Sequence, residues 1–231
     1  MKKQMVGSVP GNVLGMLADL LHKIQHGVIT VQELARFLKR ENPFEDSPHC
    51  KLVLEWEKFY QKVFSVSIDL SQVRIPEPKE GFNWLVILIQ GMTAQKLFDK
   101  CKEMFRAWKW TDKNLDDVVK SDRNPANAPY AVWFRDRVEA DEELKNLSAN
   151  DLKQRNIPGI TLEERLLLEL FYYWKTKKHL DINNVTLCSG SRYDGGLVPS
   201  VLWNGCSDEL FVLWYTPDDA SDGLRVREAV S

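Results

Sequence analysis

TLCSGSRYDGGLVPSVLWNGCSDELFVLWY, residues 186–215, is the stretch on which the fold class turns. In and just before it, "NVTLCSGS", "VPSVLWN" and "DELFVLWY" are short runs rich in β-branched and aromatic residues, parted by glycine-bearing turns. Gly195-Gly196 and Gly205 are expected to supply the positive φ such turns often need. Three strands in a meander predict an antiparallel sheet joined to strands earlier in the chain. The class is therefore α+β.

Successive side chains of a strand point to opposite faces. Val201 and Trp203 then share one face of "VPSVLWN", and Ser200, Leu202 and Asn204 share the other. In "ELFVLWY", Leu210, Val212 and Trp214 oppose Phe211, Leu213 and Tyr215. With the Val/Trp faces inward, the hairpin presents Leu202, Phe211, Leu213 and Tyr215 outward, an apolar and aromatic cluster of the kind that marks a partner or ligand surface. The competing expectation is a sheet covered on both sides by the protein's own helices.

The Cys-Ser-Gly-Ser-Arg run at 188–192 invites two chemical readings. A nucleophilic Cys188 needs a base or a helix N-terminus to form its thiolate, yet a strand follows the loop and His179 is the one histidine near it in sequence. A phosphate cradle should open a helix, which this run does not. Arg192 is read as a structural hydrogen-bond or ion-pair donor. Asp136, Glu139, Asp141, Glu142 and Glu143 follow "WFRDR". Paired carboxylates there could serve a hydrolase through Asp136, Glu139 and Arg135, with or without a metal. "RVEADEEL" also fits the solvated start of a helix, where negative charge favours the dipole, and that is the preferred reading.

Upstream the chain is helical at first. Val13, Leu14, Leu17, Leu20, Leu21 and Ile24 recur at three-to-four spacing before Gly27; Thr30 and Glu33 make a capping box for a second helix, ended by Asn42-Pro43. "KLVLEWEKFYQKVF" carries a broad apolar stripe, and "SQVRIPEPKEG" is the best linker, so a helical unit over 1–78 and an α+β domain over 79–231 are expected. In the second part, "FNWLVILIQG" and "APYAVWFRDRV" read as strands, Thr93 caps a helix, and Ser148 with Asp151 caps a short one. Thr161 with Glu164 opens "LEERLLLELFYYWKTKK", apolar almost all round and hence central.

A formal net charge of −2, with basic residues scattered, lacks the electrostatic footprint of a duplex-binding protein. Eight tryptophans leave single-strand stacking as a remaining nucleic-acid possibility. The opening "MKKQMVGSVPGNVLGMLADLL" lacks the continuous apolar run of a signal peptide, and no stretch reaches the length of a membrane span, so a cytoplasmic protein is expected. Cys50, Cys101, Cys188 and Cys206 show no metal spacing and are read as free thiols, Cys188 and Cys206 being the one pair able to meet. No cofactor or metal motif is present.

From about Tyr130 onward, "YAVWFRDRVEADEELKNLSANDL", "RNIPGITLEERLL" and "KHLDINNVTLCSGSRYDGG" resemble a widespread set of uncharacterised proteins from uncultured bacteria, a resemblance that implies membership but no reaction. The spacing of Gly190, Arg192, Trp203, Trp214, Leu224 and Arg225 also resembles the C-terminal region of diversity-generating retroelement variable proteins with a C-type-lectin-like fold. "CSGSRY" stands where that family has Gly-Gly-Ser-Trp, and Leu224 where it has Phe. The resemblance implies a non-enzymatic display protein whose ligand-binding residues are Leu197, Ser200, Leu202, Asn204, Phe211, Leu213 and Thr216; strand periodicity adds Tyr215. Its partner would be a protein or other macromolecular ligand.

Overall fold

The computed structural model describes residues 11–39, 49–126 and 128–231. They divide into two compact units, Met1–Leu54 and Glu55–Ser231. In chain order the elements are α1 (Gly11–Gln25), α2 (Val31–Leu38), α3 (Cys50–Phe64), β1 (Trp84–Leu88), α4 (Ala94–Met104), β2 (Ala107–Lys109), α5 (Leu115–Val118), β3 (Val119–Ser121) and β4 (Tyr130–Phe134). They continue with α6 (Ala149–Gln154), α7 (Leu162–Thr176), β5 (Val185–Leu187), β6 (Ser191–Tyr193), β7 (Val198–Asn204), β8 (Glu209–Tyr215) and β9 (Leu224–Arg225). The class is α+β with mainly antiparallel pairing. No described helix is long and apolar enough to cross a membrane.

In the first unit, Gly27 takes φ 71° after α1 and the Thr30–Glu33 capping box opens α2. Neither helix buries a residue: Leu14, Leu17 and Leu21 of α1 and Phe37 and Leu38 of α2 are exposed. Asn42-Pro43 lies outside the described residues.

The division between units falls inside α3 and not in the proline-bearing stretch near residue 78. Trp56, Phe59 and Tyr60 explain why. They are fully buried, and Trp56 stacks on Phe171 of α7 with ring centroids 4.1 Å apart. Trp56 Nε1 donates to the Leu85 carbonyl (2.9 Å) and Tyr60 Oη to the Ile87 carbonyl (2.6 Å). These carbonyls lie on the edge of β1 that faces away from its antiparallel partner β4, so α3 supplies what a third strand would otherwise give. The proline stretch is tied down as well: Trp133 Nε1 donates to the Pro76 carbonyl (2.7 Å), and Lys79 pairs with Glu228 (2.8 Å).

Two further strand groupings complete the second unit. The five-stranded sheet has the order β2-β8-β7-β5-β9, with β7 antiparallel to both β8 and β5, and with β2 parallel to β8 and β9 parallel to β5. The expected meander is present, but its earlier partner is β2. β1 and β4 form a separate pair, and on the β4 side Trp133 and Val230 exchange hydrogen bonds at 2.9 and 3.0 Å. β3 pairs with β6 in a third, two-stranded ladder.

α7 is buried from Leu162 to Phe171, as its all-round apolar sequence predicts, and it also carries charge into the interior. Arg165 Nε donates to Asp181 Oδ2 (2.8 Å) and its Nη1 to Glu169 Oε2 (2.7 Å). Arg227 Nη2 donates to Asp181 Oδ1 (2.7 Å), and Thr186 Oγ1 to Asp181 Oδ2. All five side chains are essentially inaccessible. Burial pushes the Asp181 carboxyl up, but Arg227 and Arg165 outweigh it and hold it below the ordinary carboxylate range. Such a group contributes stability above the unfolded-state pKa and loses it as pH falls through the depressed folded value.

Asp181 sits at φ 53°, a left-handed conformation that Asn tolerates well, so Asp181→Asn removes the charge without adding backbone strain. Two buried guanidinium groups then lose their shared counter-charge. The variant should be destabilised by about 3–5 kcal/mol in urea unfolding near neutral pH, with the deficit shrinking in acid.

Candidate functional site

The hairpin β7–β8 places the predicted residues by register. Val198↔Tyr215, Ser200↔Leu213, Leu202↔Phe211 and Asn204↔Glu209 are cross-strand partners and share the outer face. Val201, Trp203, Leu210 and Val212 occupy the inner face and are buried. Trp214 shares the inner parity but is 45% exposed, contrary to expectation. Gly205 does not take the positive φ of this turn; Asp208 does, at 54°.

The outer face is covered at one end and open at the other. Towards β5 and β9, Leu187, Val198, Leu224 and Val226 form a small second core with Leu144, Ala149 and Leu152, and Tyr215 packs against it. Ser200 has outward parity but is fully buried beside Leu187, so it is not a surface position. Leu197 is half-buried, and Thr216 is exposed just beyond β8. Towards β2 the covering stops. Leu202, Phe211 and Leu213 are partly exposed there, with Asn204 at the hairpin end.

Beside them stands a residue that sequence reasoning missed. Trp108 of β2 is the register partner of Phe211, meets it edge-on at 5.8 Å, and is 48% exposed. Trp110 N continues the ladder by donating to the Val212 carbonyl (3.1 Å), and its ring meets Tyr193 at 5.0 Å. The signal was present as the alternation Ala-Trp-Lys-Trp at 107–110, but three residues of strand directly after a helix are too short to register as a period.

The chemical candidates are disposed differently. Cys188 is buried, and burial pushes its thiol well above the usual range. His179 turns instead to Glu169, with Nδ1 2.8 Å from Oε1, and stacks on Trp203 at 3.3 Å between centroids. Cys188 and Cys206 are free thiols, the first buried and the second exposed. Arg135 is taken up by Asp141 and Glu228, Glu139 accepts from Asn183 and Asn184, and Asp136 is exposed. Among the described residues, no group of three or more His, Cys, Asp or Glu is placed to hold a metal ion.

A polar seam does run along the N-terminus of α7. The capping carboxylate Glu164 receives Arg123 through Nε and Nη2, each at 2.8 Å, and Tyr130 Oη at 3.0 Å. Its neighbour Glu163 accepts from Ser121 Oγ (2.6 Å), which lies 2.7 Å from Ser191 Oγ. Glu163 and Ser121 line a cleft of about 450 Å³ with Lys120, Asn124 and Thr93. Burial pushes the Glu163 carboxyl above its ordinary range and the Glu164 charge adds to this, against the opposing Ser121 hydrogen bond. Nothing in "TLEE" distinguishes this glutamate from a solvated helix-opening one.

Two loops cross tightly beside the seam. A Cβ on Gly190 would lie 2.6 Å from the Gly159 carbonyl oxygen, and one on Gly159 would lie 1.8 Å from Ser189 Oγ. Backbone cannot yield as a side chain can, so Gly190→Ala should lower stability by about 1–3 kcal/mol in chemical unfolding. Glu163→Gln should behave oppositely. A carboxyl whose folded pKa is raised stabilises most fully below its unfolded value of about 4.3 and loses that contribution as pH rises. The Gln variant should melt level with wild type in acid and above it near neutrality.

No protein-family model, no curated protein and no solved structure matches the chain, which leaves the geometry of the site as the basis for its function.

Proposed function

We propose that the protein is a non-enzymatic binding protein, acting in the cytoplasm, that presents the open half of its five-stranded sheet to a protein partner. The observation that supports this reading is the side-by-side arrangement of Trp108, Phe211, Leu202 and Leu213 across β2, β8 and β7, partly solvent-exposed beside a half that the protein covers itself. Aromatic and leucine side chains held on a sheet lose little conformational freedom on binding, so their desolvation goes largely into affinity. Asn204 and Glu209, paired at the hairpin end of the same face, supply a polar rim.

A photo-reactive phenylalanine analogue tests this reading in cells of the source organism. Placed at Phe211 or Trp108 it should yield a discrete crosslinked adduct, and at the exposed Asp194 it should not. Leu213→Asp should abolish the adduct, and Asp136→Ala should leave it intact. Equal labelling at 194 and 211, or loss with Asp136→Ala alone, would count against a binding face.

A further inference from the structure

The aromatic face ends at an edge of the five-stranded sheet. β2 is the last strand there, with β8 on one side only. In a parallel pair, alternate residues of a strand turn their main-chain groups to the partner. The Arg106 carbonyl accepts from Leu210 N (2.9 Å), and Trp110 N donates to the Val212 carbonyl (3.1 Å). With the register Ala107↔Leu210 and Lys109↔Val212, the main chain of Trp108 also faces β8, and the N–H and C=O of Ala107 and Lys109 point away from the sheet. Among the described residues none of these four groups has a hydrogen-bond partner.

Elsewhere the second unit closes such edges with its own groups. Trp56 Nε1 and Tyr60 Oη take carbonyls of β1, Val230 pairs with Trp133 of β4, and Asp141 N donates to the Val226 carbonyl just past β9 (3.0 Å). Short strands, prolines and outward lysines ordinarily deter pairing at an open edge. β2 has no proline, and its lysine is turned off the edge: Lys109 Nζ donates to the Lys113 carbonyl and lies over the Phe98 ring, 5.8 Å from its centroid. Only the shortness of the strand remains, and Phe105 ahead of it is already extended (φ −159°, ψ 173°). Trp108 stands on this edge, 48% exposed, with Phe211 beside it on the next strand.

We propose that the partner docks by adding an extended segment to β2 as a further strand, its main chain bonded to Ala107 and Lys109 and one row of its side chains resting on Trp108 and Phe211. This rests on the reading of the sheet face as a partner surface and names what covers it. Main-chain donors and acceptors that recur at every second residue match an extended polypeptide. A helix has its own main-chain groups already paired and cannot satisfy them. The backbone bonds supply affinity whatever the sequence, and the aromatic pair selects apolar residues at alternate positions of the added strand.

Two experiments test this. In amide-exchange NMR of the purified full chain, the amides of Ala107 and Lys109 should exchange fast while those of Trp108 and Trp110 are protected. Protection of 107 and 109 in dilute protein would overturn the proposal. So would protection that grows with concentration alongside a dimer in sedimentation, which would assign the edge to a second copy of this chain. In cells of the source organism, with the photo-reactive residue at Phe211, Lys109→Pro should weaken the adduct at least about tenfold, because proline removes the outward N–H and none of the bonds to β8. Ala107→Pro, which removes the other outward N–H, should act alike, and both purified variants should unfold close to the wild-type temperature. Lys109→Thr drops the charge, keeps the N–H and should retain the adduct; its loss there would trace the effect to charge and overturn the proposal. An adduct that survives both prolines but disappears with Leu213→Asp would overturn strand addition and leave the face. No adduct in the wild type would overturn both.

Discussion

The carboxylate of Asp181 is the point on which the second unit depends. It is fully buried, so its charge must be neutralised from inside the fold, and Arg165 from α7 and Arg227 from the C-terminal tail do this together. Thr186 adds a hydrogen bond from β5, and the Asp181 carbonyl accepts from Trp203 N at 3.1 Å, which brings in β7. Helix, sheet and tail are thus fastened to one residue. An apolar core would tolerate small shifts of α7, whereas a pair of guanidinium groups on one carboxylate fixes direction as well as distance.

From that anchor the two faces of the sheet acquire different fates. The inner face is closed by Val201, Leu210 and Val212 and by the stack of His179 on Trp203, itself held through Glu169 to Arg165. Within the second unit the outer face receives the short α6 and the segment before it, which reach as far as Leu187 and Val198. A six-residue helix cannot cover five strands. Within the second unit it leaves the aromatic and leucine surface around Phe211 and Trp108 partly exposed, and the proposed partner face rests on that surface.

The local signals were legible, and the long-range ones were not. Thr30–Glu33, Ser148–Asp151 and Thr161–Glu164 all form the capping boxes their spacing implies, since caps are contacts between residues three apart. Strand parity in β7 and β8 sorted the inner residues correctly except for Trp214, which is exposed. Exposure failed at Ser200 because burial there depends on Leu187 and the small core, residues that no periodicity connects to it. The unit boundary was misplaced for a similar reason: prolines and charges at 74–80 resemble a linker, but Pro76 and Lys79 have partners at Trp133 and Glu228. Arg165, Asp181 and Arg227 were invisible as a group, since charge in a sequence carries no mark of where it meets its opposite.

The segment 226–230 has a consequence for how the molecule comes into being. Through Arg227, Glu228 and Val230 it closes contacts with Asp181, with Arg135 and Lys79, and with the free edge of β4. During synthesis these partners emerge long before the segment does, Lys79 by some 149 residues. Until then Asp181 holds a single arginine and β4 an unpaired edge, a state open to wrong pairing. Vectorial growth therefore cannot complete the second unit piece by piece, because the contacts of residues 227–230 close long loops back to residues made much earlier.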